Sequence, residues 1–256
     1  MSIPAQPASQ SRTAILVSGI AVAIAVALVL WIVLSPSSSS SSSPPGYSIV
    51  GHTGVVNNET PVQTSPISVV GGSLVVLFVS WVNVMAGGGG PTSISDSLGD
   101  AYTYVTSSGY AYNHTEAVYV ADVIVASSSF VVTIPFTGGA TAQGGSIAVV
   151  DVANASVTGI DGTVWVFGDG ATATVGLTTN HTGDLVLLGA VGRGVSGPYA
   201  AVGDETLLDT GTATAGPFQD GVAYGTFSTT ASGTSVELSA SLNTPTYWVA
   251  VGVAIR

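Results

Sequence analysis

The chain has 256 residues and a net charge of −11, with three arginines, no lysine and no cysteine against 14 acidic residues. Such an acidic chain repels phosphate backbones, which excludes nucleic acid as a partner. The missing cysteines exclude disulfides, thiolate metal sites and cysteine nucleophiles.

Residues 1–13 (MSIPAQPASQSRT) are short and polar. They are followed by residues 14–34, AILVSGIAVAIAVALVLWIVL, a run of 21 without a charged group. At about 1.5 Å per residue this run reaches roughly 30 Å, the thickness of a hydrocarbon core, and it lacks the polar face of a soluble helix. It reads as a single transmembrane helix. Arg12 precedes it and the next basic residue is Arg193, so the positive-inside bias puts residues 1–13 in the cytoplasm and everything after Leu34 outside. The apolar run exceeds a signal-peptide core of roughly 7–15 residues, and no A-x-A-like site precedes Ser35-Pro36, so an uncleaved anchor is expected.

Around the start of that run, Arg12-Thr13-Ala14-Ile15 places a basic residue directly before an apolar helix. This resembles the processing site of archaeal pilins and related surface proteins, with Thr13 standing where such sites usually carry Gly or Ala. The resemblance implies an alternative in which the helix is cut free and packs into a filament core.

Residues 35–46 hold Ser35-Pro36, seven consecutive serines (37–43) and Pro44-Pro45-Gly46. Polyserine cannot bury apolar surface, and the prolines stiffen both junctions, so this is a solvated stalk.

From residue 47 onward short apolar runs alternate with Gly, Asn, Asp and Pro, which predicts an all-β extracellular domain over 47–256, a β-sandwich of jelly-roll-like form. Residues 73–84 (SLVVLFVSWVNV) read as a buried strand ending in a glycine-rich loop. Residues 92–96 and 101–105 read as a hairpin about Ser97-Leu98-Gly99-Asp100. Further strands are expected over 117–125, 129–136, 146–152, 164–167, 184–191, 221–228, 235–241 and 247–255. Two halves, about 47–156 and 157–256, echo each other: GSLVVL (72–77) against GDLVLL (183–188), and IAVVDV (147–152) against WVAVGV (248–253).

The order G-x-L-V-V (72–76), T-S-I-S-D-S-x-G-D-A-Y-T (92–103), A-V-Y-V-A-D-V (117–123), I-A-V-V-D-V-A-N-A (147–155) and Y-W-V-A-V-G-V-A-I (247–255) resembles a β-sandwich module of microbial secreted and surface proteins. That resemblance implies a two-sheet fold and carries no catalytic residue with it.

Chemistry-bearing patterns are sparse. There is no G-x-S-x-G elbow, and His52, His114 and His181 stand far apart without metal-ligand spacing, so each is read as a surface residue. Asp96 with Asp100, and Asp204, Glu205 and Asp209, offer oxygens to calcium but lack the D-x-D-x-D-G pattern, which favours turn capping. Of the tryptophans that could line a sugar platform, Trp81 and Trp248 fall in apolar strands and are expected in the core, leaving Trp165. No catalytic, cofactor or metal residue is assigned, and no cofactor is expected. Four N-x-S/T sequons, at Asn58, Asn113, Asn154 and Asn180, are the glycosylation candidates. The sequence therefore predicts a non-catalytic surface protein of adhesive, structural or envelope-assembly role. Its partners are the bilayer through residues 14–34, other envelope proteins or glycans, and further copies of itself. A filament subunit, and a glycan-binding protein or glycoside hydrolase, are the alternatives.

Overall fold

Alternation of side chains on a strand lets an unbroken apolar run bury both faces at once, and the centre of this fold is built from several such runs. The computed structural model describes residues 48–57, 60–82, 90–109, 114–137, 145–192, 200–201, 206–212, 221–228 and 235–256. The expected anchor and stalk lie outside the described residues. Among the described residues no helix is long and apolar enough to cross a membrane.

The described chain is all-β. Its first part holds β1 (Ser48–Asn57), β2 (Val62–Gln63), β3 (Ile67–Val69), β4 (Ser73–Val82), β5 (Gly90–Pro91) and β6 (Ser95–Asp96). Next come β7 (Thr103–Ser107), β8 (His114–Val123), β9 (Ser127–Phe130), β10 (Val132–Ile134), β11 (Phe136–Thr137) and β12 (Gly145–Ala153). After a single 3-10 turn at Val157–Gly159 follow β13 (Ile160–Thr178), β14 (Leu185–Gly192), β15 (Ala200–Ala201), β16 (Thr206–Thr212), β17 (Gly221–Ser228) and β18 (Ser235–Ile255).

The long strands make two antiparallel sheets, β1-β12-β4-β8-β7 and β13-β18-β14-β17-β16. Numbered within each part of the chain, both follow the order first, fifth, second, fourth, third. The edge strands also correspond: β1 lies against β16 and β7 against β13. On β4, Leu74, Val76 and Phe78 face one way, into a buried cluster shared with Val118, Val120 and Val150 of the same sheet and with Leu187, Val251 and Val253 of the other. The alternate residues Val75, Leu77 and Val79 face the opposite way, packing with Val62, Phe130, Val132 and Ile134 of the short strands β2, β9 and β10. Each such buried side chain is worth about 1.5–3 kcal/mol relative to exposure.

In the second sheet the same outer cover is made by β13 and β18 themselves. Residues 160–170 of β13 pair with 246–255 of β18, and after a break in register residues 172–178 pair with 235–241. Ala173, Val175, Leu177 and Val236 of this second stretch pack on Val186, Leu188, Ala190 and Trp248 in a separate buried cluster. Gly170, at φ 113, stands at the break, a conformation that only glycine adopts without strain. Thus β13 folds back on itself: a Cβ at Gly162 would sit 3.5 Å from the Leu177 side chain and 3.7 Å from the Thr178 carbonyl.

Four strand expectations need correction, the first being that residues 129–136 form not one strand but parts of β9, β10 and β11, which pair with different partners. The hairpin over 92–105 does not form, because β6 pairs with β10 and β7 with β8. The short strand at 164–167 is part of the 19-residue β13. Residues 235–241 and 247–255 are not separate strands but one, β18.

Candidate functional site

The fold-back of β13 brings its second residue, Asp161, beside the turn that leads from its far end into β14. That turn reads Thr179-Asn180-His181-Thr182-Gly183-Asp184, and Gly183 at φ 86 supplies the left-handed step. Side chains from both places then tie it down. The Asn180 backbone N–H donates to Asp161 Oδ2 at 2.9 Å, and the Asn180 side-chain amide donates to the Asp161 carbonyl at 3.0 Å. Asp161 Oδ1 lies 2.9 Å from His181 Nδ1, and the His181 backbone N–H donates to Asp184 Oδ2 at 3.2 Å.

Burial decreases across the three residues in an order that matters for their chemistry. Asp184 is fully buried, Asp161 has 10 % of its side chain exposed and His181 has 45 %. Arg256 places Nη1 3.5 Å from His181 Nε2. A guanidinium can only donate, so of the two neutral tautomers this arrangement favours the one in which Nδ1–H donates to Asp161 and Nε2 accepts. Burial works to raise the Asp161 carboxyl, but the Asn180 N–H, the Asp184 carboxyl and His181 together hold it below the usual carboxylate range. Asp184 is displaced the other way: burial pushes it up, and the facing Asp161 carboxyl adds to the rise. One carboxylate oxygen from each aspartate and one ring nitrogen of His181 all lie within 4.8 Å of one another.

Sequence spacing concealed this constellation. His181 and Asp184 are three apart, a local hint, but Asp161 lies twenty residues upstream and arrives only through the fold-back. His181 is exposed, as a surface residue should be, yet it has acidic company that its position in the chain does not reveal. His114 was expected at the surface and is buried, at 2 % exposure, because β8 is covered on both faces. It shares that strand with fully buried Glu116, whose backbone N–H donates to Ser108 Oγ at 3.0 Å.

The other candidates do structural work. Asp96 Oδ1 accepts from the N–H groups of Leu98 and Gly99, each at 2.7 Å, which is the turn capping expected of it. Asp96 and Asp100 also lie near Tyr102, whose hydroxyl is pushed well above its usual range first by burial and then by Asp96. Asp204 and Glu205 lie outside the described residues. An open groove of about 250 Å³ beside Tyr102 and Tyr119 is lined otherwise by residues 91–94, none of them ionisable.

Of the tryptophans, Trp248 is buried and Trp81 packs half-buried on the cover of the first sheet, as expected. Trp165 is 44 % exposed and stacks on Phe167, itself 52 % exposed, with ring centroids 6.2 Å apart and planes at 21°. Among the glycosylation candidates, Asn154 and Asn180 are exposed in turns, whereas Asn58 and Asn113 lie outside the described residues.

Comparison with protein-family models, with curated proteins and with solved structures gives no match.

Proposed function

We propose that this chain is a non-catalytic cell-surface protein: an N-terminal membrane anchor, a Ser/Pro stalk and an extracellular β-sandwich of two similar halves that acts by contact, in adhesion or envelope assembly. The observation that carries the reading is how the carboxylates are used. Asp96, Asp122, Asp151, Asp161 and Asp184 each accept a backbone N–H, from Leu98, Val157, Val70, Asn180 and His181 respectively. Such bonds fix turns and strand ends, and a glycoside hydrolase instead needs two carboxylates facing each other across a groove. The common strand order of the two sheets supports the two-halves reading, and the single buried cluster drawn from both sheets supports a sandwich.

The pilin-type and strand-exchange alternatives make a different particle. In this chain β1 pairs with its own β12 over residues 48–57, which favours a closed domain over one that donates its first strand. The separating experiment is detergent extraction of the membrane fraction, with electron microscopy and N-terminal sequencing of the mature chain. Discrete particles whose chains retain residues 1–13 are expected. Filaments whose chains begin at Thr13 or Ala14 would overturn the anchor reading.

A second reading, glycan binding, is favoured by one observation: the stacked, exposed Trp165 and Phe167 on edge strand β13, with Tyr247 43 % exposed on the neighbouring β18. Aromatic faces at a sheet edge are the surface that sugar rings stack on.

A further inference from the structure

We propose that Asp161, His181 and Asp184 bind one first-row divalent cation of the Zn²⁺ type. Three ligand atoms, one nitrogen and two oxygens, already lie within 4.8 Å of one another, a spread that modest side-chain rotation contracts to a coordination shell.

A second observation points to a ligand independently of the clustering. Asp184 is fully buried, and while its Oδ2 accepts the His181 N–H, its Oδ1 meets no N–H or O–H donor among the described residues. The neighbouring group is the Asp161 carboxyl, so Asp184 Oδ1 is satisfied either by a proton shared between the two carboxyls or by a cation between them. A buried, unsatisfied carboxylate oxygen is costly, and a cation between the two carboxylates removes that cost.

The donor set chooses among cations. Calcium and magnesium take oxygen ligands, whereas an imidazole with two carboxylates suits Zn²⁺ and its first-row neighbours. The exposed edge of His181 gives the ion a way in. The other oxygen of each carboxylate is held by a backbone N–H, from Asn180 for Asp161 and His181 for Asp184, and such outer bonds orient metal ligands. A cation on His181 Nδ1 moves the ring proton to Nε2 and gives up the long Arg256 contact, so the Arg256 charge opposes binding without blocking the site. The bound ion ties the start of β13 to the turn before β14, closing the end of the fold-back.

The test uses the full chain in detergent, stripped with chelator and titrated with Zn²⁺ and separately with Ca²⁺ by calorimetry, with thermal unfolding followed at each Zn²⁺ concentration. One Zn²⁺ per chain is expected, with weaker Ca²⁺ binding and a Tm that rises with Zn²⁺. Asp184→Asn and His181→Gln should each lower Zn²⁺ affinity by about tenfold or more. The His181 side chain is exposed, so H181Q retains the fold should D184N lose it. Absence of saturable Zn²⁺ binding by the wild type would overturn the proposal and leave a proton shared between the two aspartates as the occupant. Wild-type Zn²⁺ affinity in H181Q would overturn it equally.

Discussion

Gly189 on β14 approaches Phe78 on β4 so closely that a Cβ at position 189 would overlap the Phe78 ring, and Glu116 closes the same space from β8. This contact sets how near the two sheets come. Gly189→Ala is therefore expected to destabilise the fold by about 1–3 kcal/mol through overpacking. Chemical denaturation of the wild type and variant measures it, and an unchanged midpoint would show that the sheets have room to spare. Phe78→Ala, which empties the same place, should cost more, about 3–5 kcal/mol.

Asp151 on β12 is fully buried, and it accepts the Val70 N–H at 3.1 Å. Burial pushes its carboxyl above the ordinary 3.8, against the opposing pull of hydrogen bonds from Ser73 and Val70. The folded state thus binds this proton more tightly than the unfolded chain. Its stabilising contribution is fully present below pH 3.8 and is lost as pH rises through the elevated folded value. Asp151→Asn keeps an acceptor for Val70 and carries no charge, so the stability difference between variant and wild type should move in favour of the variant as pH rises across that window. Denaturant midpoints at a series of pH values check this, and a flat difference would contradict it.

Trp165 and Phe167 lie on an edge strand and are largely exposed, so replacing both with serine should change stability by no more than about 1 kcal/mol. On the glycan-binding reading the same double variant loses retention on polysaccharide from the cell envelope. Equal retention of variant and wild type would remove that reading.

Asn154, at φ 65, and Asn180 are exposed in turns. In a host that glycosylates its surface proteins, peptide mass spectrometry should find both modified. The Asn180 side-chain amide already donates to the Asp161 carbonyl, so a glycan there must leave one N–H for that bond. Unmodified peptides at both positions, from a host shown to glycosylate other surface chains, would contradict the expectation.

Much of the sheet framework is legible in the sequence where a strand is apolar on both faces. The runs that become β4, β8, β12 and β14 stand out because burial on two sides demands continuous Val, Leu, Ile and Ala. β16 does not stand out, since Thr, Gly and Asp interrupt it. β18 reads as two strands because Asn243-Thr244-Pro245 looks like a turn. In the fold those residues fall in the register break between Ser241 and Thr246, where a bulge accommodates proline. The hairpin expected at 92–105 fails for the opposite reason: Asp96 does cap a local turn, but the flanking residues find better partners in β10 and β8. The metal-ligand constellation is legible only in its local half. His181 and Asp184 are near in sequence, while Asp161 depends on β13 reversing at Gly170, where Asp169-Gly170 is a local turn signal that does not say which residues the reversal brings together.

In the proposed topology residues 47–256 stand outside the cell on a helix that stays in the membrane. The most direct measurement adds one tag before residue 1 and another after residue 256 and exposes intact cells to protease. Loss of the C-terminal tag with retention of the N-terminal tag in the membrane fraction is the predicted result. Protection of the C-terminal tag until the cells are lysed would contradict it.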